Sequence, residues 1–322
     1  MRSIWYNDAM NNILKHRNIM RKSSYIFLIA VLVCILLLIS GCGFSGSGDL
    51  AGLSEKEDEW MNRPTGSAEY FDSNTVLVSI YMDSDGSSSR GWSDEDIART
   101  RDYLDMATDY LTSAGRDYGC DVKLTYDISD GSDLMYFTDM DVLGDDADDI
   151  KTHDTTDNWI ESNIDYPALM EKYDTDSIGF LYFMNAGGTS WCYPYYPDPD
   201  YPEYGYLEKC YLYLYDEYGE EYENPATYTH EILHMFGAAD LYTVSEEDGV
   251  SNEVISYVDK TYPRDIMYTV YDENEEHDYD EIPCEIGPIT AYFIGFVDRC
   301  DELAIFPDLK RRSKASFPEY VT

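Results

Sequence analysis

Thr229 to Tyr242 reads Thr-His-Glu-Ile-Leu-His-Met-Phe-Gly-Ala-Ala-Asp-Leu-Tyr. On a helix, His230 and His234 are one turn apart on the same face. Two neutral imidazoles so placed reach one zinc ion at about 2.0–2.1 Å. Glu231 follows the first histidine and points beside the metal, where a carboxylate can take a proton from a metal-activated water. Leu233 and Phe236 fall on the other face and are core candidates. Gly237 permits a tight or left-handed turn after the helix. Asp240 then comes back toward the histidines. A catalytic zinc takes three protein ligands, carboxylate oxygen among them, and keeps a fourth position open. Asp240 is the expected third ligand, with His277 and His153 the other residues able to fill that place. The chain has five histidines in all, at 16, 153, 230, 234 and 277. With histidine so scarce, the pattern arises by chance on the order of one time in a hundred or less.

The run His230-Glu231-x-x-His234-x-x-Gly237-x-x-Asp240 resembles the extended zinc signature of the metzincin-type metallopeptidases. It has the minority form with aspartate as third ligand, which the secreted snapalysin-type bacterial proteases use. The resemblance runs at motif level from about Pro225 to Tyr268. It implies a methionine turn beneath the zinc, and "RDIMYT", Arg264 to Thr269, supplies Met267 for it. Some metzincins use a tyrosine shortly after that methionine as an extra ligand or oxyanion donor. Tyr268 is the candidate, although it is adjacent to Met267 rather than two residues away.

The fold implied is α+β: a mixed twisted sheet, an active-site helix and a smaller C-terminal subdomain with the methionine turn. The activity implied is that of a zinc-dependent endopeptidase with one catalytic Zn2+, acting on extracellular proteins or peptides. Two other functions fit the same residues. One is a surface binding or adhesion lipoprotein that keeps the fold with little or no activity. The other is a zinc hydrolase of a non-peptide bond, such as a cell-wall cross-link. Glu231 favours hydrolysis, because a binding protein has no use for a general base. No cysteine lies between Cys42 and Cys120, which argues against a cysteine-switch propeptide.

Elements able to position the motif can be read around it. "TVLVSIYM" (Thr75 to Met82) and "SIGFLYFM" (Ser177 to Met184) read as buried strands, rich in β-branched and aromatic residues. Ser93 should cap a helix that Gly115 stops. "CDVKLTYDI", Cys120 to Ile128, reads as a strand, and Asp130 to Asp157 as a loose acidic stretch. "CYLYLYDEY", Cys210 to Tyr218, alternates as an exposed or edge strand would, and its stretch around Tyr211 to Tyr215 is the expected dock for an extended substrate. Pro288 sits in the first turn of a C-terminal helix over Gly287 to Asp298.

Composition bounds the setting. The apolar run Tyr25 to Ile39 follows Arg21-Lys22 and ends at Ser40-Gly41-Cys42, as a secretory signal does. At about fifteen residues it is shorter than the ~20 a spanning helix needs. Ile39 to Cys42 resembles a bacterial lipobox, with Cys42 as the acylated residue. Residues 1–41 are thus expected to be a lipoprotein signal peptide, with Met20 a possible start. Residues 42–70, small and charged, make a flexible tether. The metallopeptidase domain then spans 71–305, and 306–322 form a tail. The expected location is the outer face of the bacterial cell membrane.

Residues 1–41 hold five of the 22 basic residues and one of the 64 acidic ones, so the remainder carries a formal charge of about −46. So acidic a chain excludes nucleic acid as a partner, since phosphate binding needs a basic surface. Asp83-x-Asp85-Gly86 and Asp145 to Asp149 match no calcium-loop spacing, leaving Ca2+ possible but unsupported. Export permits disulfides, and Cys192–Cys210 and Cys284–Cys300 are the expected pairs, with Cys120 left over.

Overall fold

A computed structural model describes Phe71 and residues 74–82, 91–129, 131–140, 150–175, 177–194, 207–216, 218–274 and 276–311. The chain divides into two compact units, Met1–Glu59 and Trp60–Thr322, and all described residues belong to the second. The signal run, Cys42, the tether and both acidic loops lie outside the described residues. Among the described residues no helix is long and apolar enough to cross a membrane.

The described chain is mixed α/β, compatible with the α+β class, with six helices and one mixed sheet of six strands. The strands are β1 (Asn74–Met82), β2 (Lys123–Thr125), β3 (Met135–Thr138), β4 (Ser177–Gly187), β5 (Trp191–Tyr193) and β6 (Lys209–Tyr215). The order is β2-β1-β4-β6-β5, with β3 also paired to β1. All pairings are parallel except β5 on β6, which is antiparallel.

β1, β4 and β6 are almost wholly buried. Parallel strands need cover on both faces, because the connections between them are laid over the sheet. Alternate side chains accordingly enter different cores. Leu77 and Tyr81 of β1, Leu181 and Phe183 of β4, and Cys210 and Leu212 of β6 face one core. Val76, Val78, Ile178, Phe180, Tyr211 and Tyr213 face the other. The first core takes in α1 (Asp94–Tyr118), α4 (Pro225–Met235), α5 (Asn252–Thr261) and α6 (Pro288–Phe293). The second takes in α2 (Ile150–Asn163) and α3 (Tyr166–Tyr173).

Three expectations change on the structure. Gly115 does not stop α1; the helix runs to Tyr118 and ends at Gly119, whose φ of 81° is left-handed. Gly115 is instead buried against Val122, where a Cβ would clash, so its smallness serves packing. The acidic stretch is not loose throughout, since it contains β3 and most of α2. Finally, β6 is an inner strand, and among the described residues the sheet ends at β5.

The tyrosine alternation that resembled an edge has another cause. Tyr182, Tyr211 and Trp191 stack across β4, β6 and β5, with ring centroids 5.3 and 4.3 Å apart. The Tyr211 hydroxyl is 2.8 Å from Thr156 Oγ1, and that of Tyr182 donates to the Thr156 carbonyl. Tyrosine here fills core volume and spends its polar end on a covering helix.

The expected disulfides are not formed, and all five described cysteines are free thiols. Cys192 and Cys210 do face each other across β5 and β6. Cys284 instead directs its thiol to the Thr269 carbonyl, and Cys300 caps the short 3-10 turn at Asp301–Ala304. Near the end of the described residues, Leu309 is buried in the first core, and Lys310 N–H donates to the Asp248 carbonyl.

Candidate metal centre

The site is built on α4. Asn224 caps this helix by accepting from Thr227 N–H at 2.8 Å, and Pro225 occupies its first turn, where no N–H is required. The Asn224 side-chain amide also donates to the Val270 carbonyl, tying the start of the helix to the segment after Met267. Ile232, Leu233, Met235 and Phe236 are at most 1 % exposed. Each such side chain contributes roughly 1.5–3 kcal/mol by leaving water, so the helix is anchored by the face opposite its chemistry.

Gly237 follows at φ 91°, a left-handed value that costs other residues about 1–2 kcal/mol. Its N–H and that of Ala238 close the last turn on His234 and Leu233 carbonyls. The chain then brings Asp240 back to the helix. Asp240 Oδ1 lies 3.2 Å from His230 Nε2 and 3.3 Å from His234 Nε2.

The other ring nitrogens define what those contacts mean. His230 Nδ1 donates to the Ile266 carbonyl and His234 Nδ1 to the Ala238 carbonyl, each at 2.8 Å. A carbonyl only accepts, so both Nδ1 atoms carry hydrogen. In the neutral rings each Nε2 is then a bare lone pair. Two such lone pairs and a carboxylate oxygen converge on one point, an arrangement that calls for a cation. Two bonds of about 2.0–2.1 Å at a tetrahedral angle would put their ligand atoms about 3.3 Å apart. The observed spacings match that. His230, Glu231 and His234 also offer ligand atoms within 4.8 Å of one another, a group that could hold a metal ion.

A proton can partly meet the same demand. Burial pushes the His234 pKa down, but the Asp240 carboxylate overrides it and holds the imidazole at about 10. Burial raises Asp240, and the two histidines more than offset this, so its carboxyl stays well below the usual range. Glu231 is 6 % exposed, and burial raises its pKa against the opposing pull of His230 and His234. Behind it, the Cys210 thiol donates to the Glu231 backbone carbonyl at 3.2 Å.

The remaining candidates are placed as follows. Met267 is fully buried in the core, in the turn whose Ile266 carbonyl holds His230. The Tyr268 hydroxyl donates to Asp259 at 2.9 Å, on α5. The His277 ring lies tilted against those of Tyr271 and Tyr279, at 5.0 and 5.9 Å, and is not part of the metal-capable group. The side chain of His153 lies outside the described residues.

Three site features escaped the sequence reading. Tyr242, 48 % exposed, has its ring 6.1 Å from that of His230. The aspartate-x-tyrosine spacing was visible, but no periodicity distinguishes it. β5 lies against α4, and Cys192 is close enough to His234 to raise its pKa. The third is Asp265, 1 % exposed, which accepts from Met267 N–H, Gly287 N–H and the Thr290 hydroxyl.

Asp265 carries a pH signature. Burial is the largest influence and Glu285 adds to it; together they outweigh the three hydrogen bonds and raise its pKa from 3.8 to about 6. An acid with a raised folded pKa supports stability below its unfolded pKa and loses that support as pH rises through the folded one. The shift corresponds to about 3 kcal/mol, lost between about pH 4 and 6. Urea midpoints of the metal-free wild type and of Asp265→Asn, measured from pH 3.5 to 7, should therefore diverge across that window and run parallel outside it.

Comparison with protein-family models, with curated proteins and with solved structures finds no match to this chain.

Proposed function

We propose that the protein is a zinc-dependent endopeptidase of metzincin-like type. The observation that supports this most is the convergence of His230 Nε2, His234 Nε2 and Asp240 Oδ1, with Glu231 alongside. Two imidazoles and one carboxylate are an accepted donor set for catalytic zinc with an open fourth position. The ion would supply Lewis-acid polarisation of the scissile carbonyl and a lowered pKa for the attacking water.

The chain's own residues do the rest. Glu231, beside the point where the ion would sit, is the residue that would accept a proton there and hand it on to a leaving amine. Burial raises the pKa of this carboxylate, which favours its holding a proton between the two transfers. His230 and His234 are held in one tautomer by carbonyl acceptors, so their Nε2 atoms stay directed at the site. β5, the end strand among the described residues and next to α4, replaces the strand around Tyr211 to Tyr215 as the proposed dock, where an extended peptide can add as a further strand. Tethering through an acylated Cys42 would place this activity at the outer face of the cell membrane.

The purified protein should contain one zinc per chain by elemental analysis and cleave casein or a peptide library. A strong chelator should abolish cleavage and added zinc restore it. A protein that binds zinc and cleaves no peptide would favour the binding or adhesion reading instead.

A further inference from the structure

We propose that Asp265 is a positioning residue that presets two of the three metal ligands through the turn it closes. The inference rests on the zinc-site reading above.

The Asp265 carboxylate sits at the meeting point of three donors. Oδ1 accepts from Met267 N–H at 2.8 Å and from the Thr290 hydroxyl at 2.7 Å, and Oδ2 accepts from Gly287 N–H at 3.0 Å. The backbone closes around the same residue. The Asp265 carbonyl accepts from Tyr268 N–H at 2.8 Å and Thr269 N–H at 3.0 Å. Glu285 brackets the turn, donating to the Arg264 carbonyl and accepting from Ile266 N–H. Tyr118, at the end of α1, donates to the carbonyl of Ile286 at 2.9 Å, fixing the strand of chain that carries Gly287.

A turn held this firmly aims two consecutive carbonyls. That of Ile266 accepts from His230 Nδ1 at 2.8 Å. That of Met267 accepts from the N–H of Leu241, the residue after Asp240, also at 2.8 Å. One ligand imidazole and the loop bearing the carboxylate ligand therefore hang from adjacent peptide units. The third ligand, His234, is held by Ala238 within its own loop and does not depend on the turn. Outer groups that orient ligands in this way typically govern metal affinity by 10–100-fold.

Chemistry explains why a carboxylate stands here. Three donors need an acceptor-only group, and an ionised carboxylate offers two oxygens and no hydrogen. An asparagine would satisfy Met267 and Thr290 and turn its NH2 on the Gly287 N–H. Gly287 is itself required, because a Cβ there would strike Asp265 Oδ2.

The test uses Asp265→Asn, Thr290→Val and Thr290→Ser, each checked for folding by near-UV circular dichroism. Zinc affinity is read by competition with a chromophoric chelator, and ligand geometry by the d–d absorption of the Co2+-loaded protein. Asp265→Asn should weaken zinc binding about 10–100-fold and alter the Co2+ bands. Thr290→Val should move both in the same direction by a smaller factor, and Thr290→Ser should restore wild-type values. A residue that only supports the fold would leave the Co2+ bands of the folded variants unchanged. Zinc affinity within twofold of wild type and an unaltered Co2+ spectrum, in every variant that folds, overturn the inference alone. If Asp265→Asn does not fold, the two Thr290 variants decide. A wild-type protein that takes up neither ion overturns the zinc-site reading, and this inference with it.

Discussion

Glu231→Ala is expected to lower kcat/KM for peptide cleavage by about 10²–10⁴-fold while zinc content stays at one ion per chain. The range is that of a lost general base, whose proton transfers fall back on bulk water. The ligand atoms proposed for the metal are on His230, His234 and Asp240, so the substitution removes none of them. It also leaves the packing of α4 largely intact, since Ile232, Leu233, Met235 and Phe236 anchor the helix from the opposite face. Removing a buried carboxylate whose pKa is raised by burial should not destabilise the fold, because its charged form is disfavoured there. The loss should therefore appear mainly in kcat. Steady-state kinetics on one fluorogenic peptide, with elemental analysis of the same samples, measure both quantities. Cleavage that survives in Glu231→Ala with full zinc would remove Glu231 from the mechanism. Zinc lost together with activity would make Glu231 a ligand and reassign the site.

Asp240→Ala tests the other half of the site. Its Oδ1 is the only carboxylate oxygen within hydrogen-bond distance of both Nε2 atoms among the described residues. Removing a direct ligand should weaken zinc binding by at least the 10–100-fold that loss of an outer partner costs. The metal-free form should change as well. Without Asp240, burial acts unopposed by its largest counterweight, and the His234 pKa should fall from about 10. An NMR titration of the imidazole Cε1–H in the metal-free protein follows this, and competition with a chelator follows the zinc. Full zinc occupancy in Asp240→Ala at limiting metal would end its assignment as a ligand.

How much of this could be read in the sequence depended on the range over which each feature is determined. The helix bearing the two histidines was legible because its signals are local: apolar residues opposite the histidines and a glycine at the end. β1 and β4 were legible as uninterrupted apolar runs. β3 and α2 were not, because their few apolar residues are spread through a region dominated by aspartate. β6 was misplaced for a different reason. Its tyrosines look amphipathic in sequence, but both faces of the strand are covered, and Tyr211 spends its hydroxyl on Thr156 of α2. Asp265 was least accessible of all. Its partners Gly287 and Thr290 lie 22 and 25 residues away, and no spacing rule connects them to it.

The carbonyl that orients His230 comes from a residue 36 positions further along the chain. The cap of the helix bearing both histidines comes from its neighbour Asn224, while the cage around them awaits the docking of the C-terminal segment. Non-local contacts of this kind form slowly, since loop closure must precede them. A chain that has been synthesised or refolded only as far as α4 would carry the histidine pair without the supports that aim His230 and the Asp240 loop. Tight metal uptake then becomes a late event, and whatever chemistry the site performs would begin only after the C-terminal segment has docked.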